Sequence, residues 1–157
     1  MRKTSSKVLL ALFNAIGDIS GRSFLDLFSG SGQIAREAWA RGARPVVAVE
    51  ADKASCANLR SLCRDMEGLE VVCMDVRRAL PKLAKGGYKF SLIFADPPYD
   101  WDNYGLLPDL VLNNNLLLED GFLIIEHSLA IDYGQYPKFY QKRKYGKVNF
   151  SIFAENL

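Results

Sequence analysis

Apolar positions along this chain recur at two spacings, and the alternation between them predicts its architecture. Val8, Leu9, Leu12, Ala15 and Ile16 recur at helical spacing behind the capping candidates Thr4, Ser5 and Ser6, until Gly17 and Gly21 break the pattern. Ser23 to Phe28 then reads as a strand, Gly30 and Gly32 as a turn, and Gln33 to Arg41 as a helix closed by Gly42. Pro45 to Glu50, rich in valine, has the character of a strand buried on both faces. Asp52 can cap a helix carrying Ala54, Ala57, Leu59, Leu62, Cys63 and Met66. Leu69 to Met74 is a third strand, Val76 to Leu83 a short helix, and Phe90 to Ala95 a fourth strand. Asn103 to Leu112 reads as helical, and Phe122 to Glu126 as a fifth strand after an Asp120-Gly121 turn.

The last segment follows a different rule. Phe139 to Tyr145, a Gly146 turn, and then Val148, Phe150 and Ile152 alternating with polar residues form an antiparallel hairpin pattern. Strands alternating with helices imply a parallel α/β sheet with helices on both faces, and the hairpin adds an antiparallel pair at one edge. No linker or repeat divides the sequence, so residues 1–157 are expected to form one domain. Ligands in such sheets bind beyond the carboxyl ends of the strands, and every motif that carries chemistry here falls at such an end.

Composition narrows the picture only a little. Hydrophobic residues make up 49% of the chain, which excludes disorder, and a net charge of +2 neither announces nor excludes a nucleic-acid partner. The basic residues do crowd locally: Lys138, Lys142, Arg143, Lys144 and Lys147 fall on the hairpin, as a phosphate-binding edge or as an ordinary solvated one. The sequence shows neither a membrane-length apolar stretch nor a signal-peptide core, so a cytoplasmic protein is expected, and it is taken to be a monomer. Cys56, Cys63 and Cys73 are read as reduced core residues, and with His127 the only histidine no metal site is expected.

Three acids stand at three successive strand ends. Asp26 opens Asp26-Leu27-Phe28-Ser29-Gly30-Ser31-Gly32, whose glycines allow tight turning and close backbone approach to a ligand. A dinucleotide fingerprint would carry a third glycine where Ala35 stands, and Asp26 would repel a pyrophosphate. A ligand with an ammonium and a sulfonium suits it better. Glu50 lies near the spacing of an acid that takes ribose hydroxyls, or it caps the next helix. Asp75 can accept from an adenine amino group with Val76 beside the ring, or it is a helix N-cap.

Asp96-Pro97-Pro98-Tyr99 follows the fourth strand and supplies a carboxylate, exposed carbonyls and a flat aromatic face. An exocyclic amine on a base is a poor nucleophile because its lone pair is delocalised into the ring. Asp96 and the Pro97 carbonyl can accept its two N–H bonds while Tyr99 stacks on the base for in-line attack on a methyl group. The alternative is a strand-terminating turn with Asp at its first position.

These residues resemble a class I methyltransferase dependent on S-adenosyl-L-methionine (AdoMet). They resemble more closely the RsmD-like family, which methylates N2 of guanine in 16S ribosomal RNA. The likeness runs through Val8 to Ala15, Leu25 to Gly32, Glu37-Ala38 to Ala43, Val49-Glu50, Asp96 to Tyr99 and Ile124 to His127. It implies a three-layer Rossmann-like α/β/α fold with seven strands in the order 3-2-1-4-5-7-6. It implies AdoMet contacts at Asp26, Ser29, Gly30, Gly32, Glu50 and Asp75, and catalysis at Asp96, Pro97 and Tyr99. Pro98, Lys142, Arg143, Lys144 and Lys147 are expected to meet the RNA, free or in a small-subunit assembly particle. The chain departs from the family at Arg2-Lys3-Thr4, where members carry Arg-Pro-Thr, and at Leu9, where an arginine is usual. The basic strand that precedes these residues in members is not seen here. An amino-methyltransferase acting on DNA adenine would share Asp96 to Tyr99 but needs more sequence for duplex recognition. A non-catalytic AdoMet-fold binding module is the other alternative.

Overall fold

The computed structural model describes residues 6–98, 100–101 and 103–156. Seven strands form one sheet: β1 (Phe24–Leu27), β2 (Val46–Glu50), β3 (Leu69–Cys73), β4 (Phe90–Ala95), β5 (Leu117–Ser128), β6 (Phe139–Tyr145) and β7 (Val148–Ala154). Their spatial order is β3-β2-β1-β4-β5-β7-β6, as the resemblance implies. The first five pair in parallel, while β7 runs antiparallel to both β5 and β6.

Helices cover both faces because β1, β2 and β4 are apolar on both, and each face needs its own cover. On one face α1 (Ser6–Ile16), α2 (Gln33–Ala40) and α3 (Lys53–Leu62) bury Leu12, Phe13, Ile34, Ala35, Ala38 and Leu59 against Phe24, Val46, Ala48 and Phe94. On the other, α4 (Val76–Lys85) and α5 (Leu107–Leu112) pack Leu80, Leu83, Leu107 and Val111 against Leu25, Val47, Val49 and Ile93. Burying a side chain of that size stabilises by about 1.5–3 kcal/mol.

Several boundaries and two pairings differ from the sequence reading. Helix α3 stops at Leu62, short of Met66, and the segment read as helical from Asn103 begins as a 3-10 turn over Tyr104–Leu106. The Asp120-Gly121 turn lies inside β5 instead of before it. The register with β4 slips there, from Phe90↔Leu117 to Leu92↔Phe122, and the extra residues bulge out. The expectation of three reduced cysteines is also corrected. Cys56 on α3 and Cys73 at the end of β3 form a disulfide with Cα atoms 5.9 Å apart, while Cys63 is a buried thiol. The cause is the β2–α3–β3 crossover, which folds α3 back beside β3, a juxtaposition that the seven-residue spacing of Cys56 and Cys63 could not reveal.

Candidate active site

All four central motifs meet at the carboxyl ends of β1, β2, β3 and β4. There a cavity of about 720 Å³ is lined by Asp26, Ser29, Gly30, Glu50, Asp75, Val76, Asp96, Pro97 and Pro98, with further residues described below. That volume lies within the range of small-molecule sites.

The β1–α2 turn is the floor. Asp26, one residue before the end of β1, is almost fully buried and accepts a 2.7 Å hydrogen bond from the Ser29 hydroxyl. The Ala35 backbone N–H, in the first turn of α2, also acts on its carboxylate. Burial pushes the Asp26 carboxyl up from 3.8 to about 7; the Ser29 bond opposes the rise, and the nearby charges of Asp96 and Glu50 add to it. Gly30 adopts a left-handed conformation, φ 60°, at the crest of the turn.

Glu50 ties this turn to the next strand. Its Oε1 accepts from the Gly30 N–H at 2.7 Å and its Oε2 from the Asp52 N–H at 2.8 Å. The capping role weighed for Glu50 falls instead to Asp52, whose carboxylate accepts from the Ser55 N–H at 2.9 Å, while Glu50 braces the Asp52 amide and still lines the cavity. Asp75 shows the same duality, because its Oδ1 caps α4 through the Arg77 N–H at 2.8 Å while the residue borders the cavity beside Val76.

Gly32 belongs to the packing and not to the cavity lining. It caps α2 at φ 77°, and a Cβ there would run into the Leu59 side chain. Its place in the glycine motif reflects a close helix–helix approach. Tyr99 lies outside the described residues, as do Arg2, Lys3 and Thr4. Two aromatic residues that the sequence reading missed also enter the site. Phe28 and Trp101 both line the cavity and meet edge to face at 5.2 Å, with the Arg77 guanidinium 5.7 Å from the Trp101 ring centre. Phe28 holds φ 58°, an unusual conformation for a bulky residue and one that clusters at ligand sites. A non-glycine residue between Leu27 and Ser29 carries no sequence mark of that.

The basic hairpin divides by strand alternation. Lys142 and Lys144 pair with Ser151 and Asn149, which in turn pair with Ile125 and His127. They therefore face the side of the sheet that carries α4 and α5. Arg143 pairs with Phe150 and lies on the α1 side, beside Leu12, Ile16 and Gln141. All three are exposed, as is Lys147 in the turn. That turn lies just beyond the Val148–Ser128 pair that closes β5, at the same end of the sheet as Asp96. Among the described residues no cluster of metal-binding side chains occurs, and no helix is long and apolar enough to cross a membrane.

Known proteins share both the sequence and the fold. The chain matches the family described as Conserved hypothetical protein 95 over residues 1–154. It is 35% identical over 135 residues to YlbH of Bacillus subtilis, which bears the name of an rRNA methyltransferase; the match spans 83% of this chain and 73% of YlbH. It is 31% identical over 134 residues to ribosomal RNA small subunit methyltransferase D of Escherichia coli K12, spanning 84% of this chain and 64% of that protein. In structure it resembles a hypothetical protein of Thermus thermophilus, with TM-score 0.85, 28% identity and coverage of 98% of this chain and 88% of that one. The fold also matches an RNA methyltransferase from Salinibacter ruber bound to S-adenosyl-L-homocysteine, with TM-score 0.72, 17% identity and coverage of 98% and 93%. A strand order, an acid-lined cavity and a family match over nearly the whole length agree, and this chain belongs to the RsmD-like methyltransferase family.

Proposed function

We propose that this chain methylates the exocyclic N2 of a guanine in 16S ribosomal RNA, using AdoMet. The observation that carries the reading is that Asp96, Pro97 and Pro98 line the same cavity as Asp26, Glu50 and Asp75. Cofactor and base can therefore meet without any large rearrangement.

The lining suits AdoMet by its chemistry. Acidic side chains at three strand ends favour a cationic ligand with ribose hydroxyls and an amino-bearing ring, and disfavour a pyrophosphate. When bound, AdoMet supplies a methyl group on a positively charged sulfur, an activated leaving group. Asp26, with Ser29 and Gly30, would hold the ammonium end, Glu50 the ribose, and Asp75 with Val76 the adenine. Gly32 supports this site through α2. The Asp96 carboxylate and the Pro97 carbonyl would each accept an N–H of the guanine amino group and aim its nitrogen, with Tyr99 stacked on the ring. Pro98, Lys142, Lys144 and Lys147 would contact the RNA, and Arg143, turned to the α1 side of the sheet, would not. We place the protein in the cytoplasm, where ribosomal RNA is modified, and the substrate in a partly assembled small-subunit particle. Names borne by the Bacillus and Escherichia relatives support the ribosomal substrate.

The test is methyl transfer by purified protein to small-subunit particles lacking the modification, read by nucleoside mass spectrometry. N2-methylguanosine is expected. Methylation of DNA adenine with no transfer to ribosomal particles under the same conditions would overturn the proposal.

A further inference from the structure

Pro97 and Pro98 pose a structural problem that the sheet does not solve. Neither has an N–H, so this two-residue stretch can be fixed by hydrogen bonds only through its carbonyl oxygens. Both oxygens are met from one side chain. The Tyr104 hydroxyl lies 3.1 Å from the Pro97 carbonyl oxygen and 3.2 Å from the Pro98 one, within donating distance of both. Pro98 also accepts from the Trp101 N–H at 2.9 Å.

Tyr104 is itself immobilised from further away. It is 9% exposed, packs edge to face on Trp101 at 6.0 Å, and its carbonyl accepts a 2.7 Å hydrogen bond from the Tyr133 hydroxyl. Tyr133 is 1% exposed and sits among Tyr136, Phe153 and His127, with ring centres 5.0–5.7 Å away. His127 is anchored in turn to the Ser151 hydroxyl at 2.6 Å. A continuous buried chain thus runs from β7 through His127, Tyr133 and Tyr104 to the Pro97 carbonyl oxygen.

We infer that Tyr104 is a positioning residue for methyl transfer, its hydroxyl setting the direction of the Pro97 carbonyl, with Tyr133 as its support. This rests on the reading of the Pro97 carbonyl as an acceptor for the substrate amine. A carbonyl oxygen has two lone pairs. Tyr104 engages one from the protein side and so turns the other toward the cavity. Neither tyrosine touches cofactor or base; both act through the loop.

The test compares wild type, Tyr104→Phe and Tyr133→Phe with saturating AdoMet and small-subunit particles. Each substitution keeps the ring in the core and removes only the hydroxyl. For Tyr104→Phe, kcat should fall about ten- to a hundredfold, the loss that a misplacement near 1 Å can produce. KM for the particle and Kd for AdoMet should stay within about twofold, as for a loss confined to the transition state. Tyr133→Phe should lose less, because Tyr104 keeps its own hydroxyl. Amide hydrogen exchange adds a readout that needs no activity: the peptide spanning residues 96–106 should exchange faster in Tyr104→Phe, with the rest unchanged. An unchanged kcat, or unchanged exchange in that peptide, would overturn the inference. A wild type that transfers no methyl group to the particle would instead sink the guanine reading, and exchange would still decide whether Tyr104 holds the loop.

Discussion

The two halves of the cavity are built by different means. On the cofactor side the bonds that shape the site are local or reach from one strand end to the next. Ser29 bonds Asp26 three residues away, Asp52 bonds Glu50 two away, Arg77 bonds Asp75 two away, and Gly30 meets Glu50 across adjacent strands. On the substrate side the loop carbonyls depend on Tyr104, and Tyr104 depends on Tyr133, which follows 29 residues later from beyond β5. The first half is a set of charged groups fixed by backbone N–H donors and the Ser29 hydroxyl. The second is a loop without donors of its own, held by buried rings. Damage to the cofactor half should therefore be read in binding, and damage to the substrate half in turnover.

The largest effect should come from the acid that faces the base. Asp96→Ala should lower kcat by about a thousandfold, within the range for losing a group that stabilises the transition state. AdoMet affinity should change little, because the cofactor acids remain. Calorimetric titration of the variant checks this, and lost AdoMet binding with turnover retained at saturation would erase the division between the halves. Glu50→Ala should do the reverse. It removes a carboxylate that braces two backbone amides, so Kd for AdoMet should rise about ten- to a hundredfold, the range for hydrogen bonds to a charged group. Turnover at saturating cofactor should be nearly preserved.

The same contrast explains what could be read from the sequence. Strand β4 matched its expected bounds and β1 to β3 were placed within a residue or two, since buried valine-rich runs between glycine turns allow few alternatives. Asp26, Glu50, Asp75 and Asp96 were legible because each stands at or within two residues of a strand's carboxyl end, and the strand order carries them to one edge. Gly32 was legible as a required glycine but not for its reason, since the Leu59 side chain that excludes a Cβ comes from the next helix along. Trp101, Tyr104 and Tyr133 were not legible at all. They lie on irregular or weakly patterned segments, and their importance arises from contacts with distant residues. The Cys56–Cys73 disulfide was missed for the same reason.

Proton linkage offers a sharper probe of the cofactor half. Burial raises the folded-state pKa of Asp26 from 3.8 to about 7, so the folded protein without ligand holds a proton that the unfolded chain has released. The corresponding stability is fully present below the unfolded value near 4 and is lost as pH rises to about 7. A cationic ligand favours the carboxylate, so AdoMet binding should release a proton near pH 6. Affinity should tighten about tenfold between pH 6 and pH 8 as the ionised fraction rises. Asp26→Asn should flatten that part of the profile, with weaker binding throughout. Equal profiles for wild type and Asp26→Asn would show that this carboxylate is not the cation's partner.

The smallest expected effect tests whether the substrate half extends onto the hairpin. Lys142 and Lys144 face the α4–α5 side of the sheet, the side on which Tyr104 and Tyr133 are buried, whereas Arg143 faces α1. RNA approaching the Asp96 loop from the Tyr104 side should meet the two lysines and miss the arginine. The double change Lys142→Ala and Lys144→Ala should weaken particle binding several-fold. It should also lower the slope of log affinity against log salt by about 1.5, as expected for two lost phosphate contacts. Arg143→Ala should leave that slope nearly unchanged, and none of these changes should alter AdoMet affinity. Equal slope changes for Arg143→Ala and for each single lysine variant would mean that the strand is read as a charged edge and not by its faces. The substrate half would then take in both faces of the hairpin, whereas no slope change for any of these variants would end it at the Asp96 loop and the rings behind it.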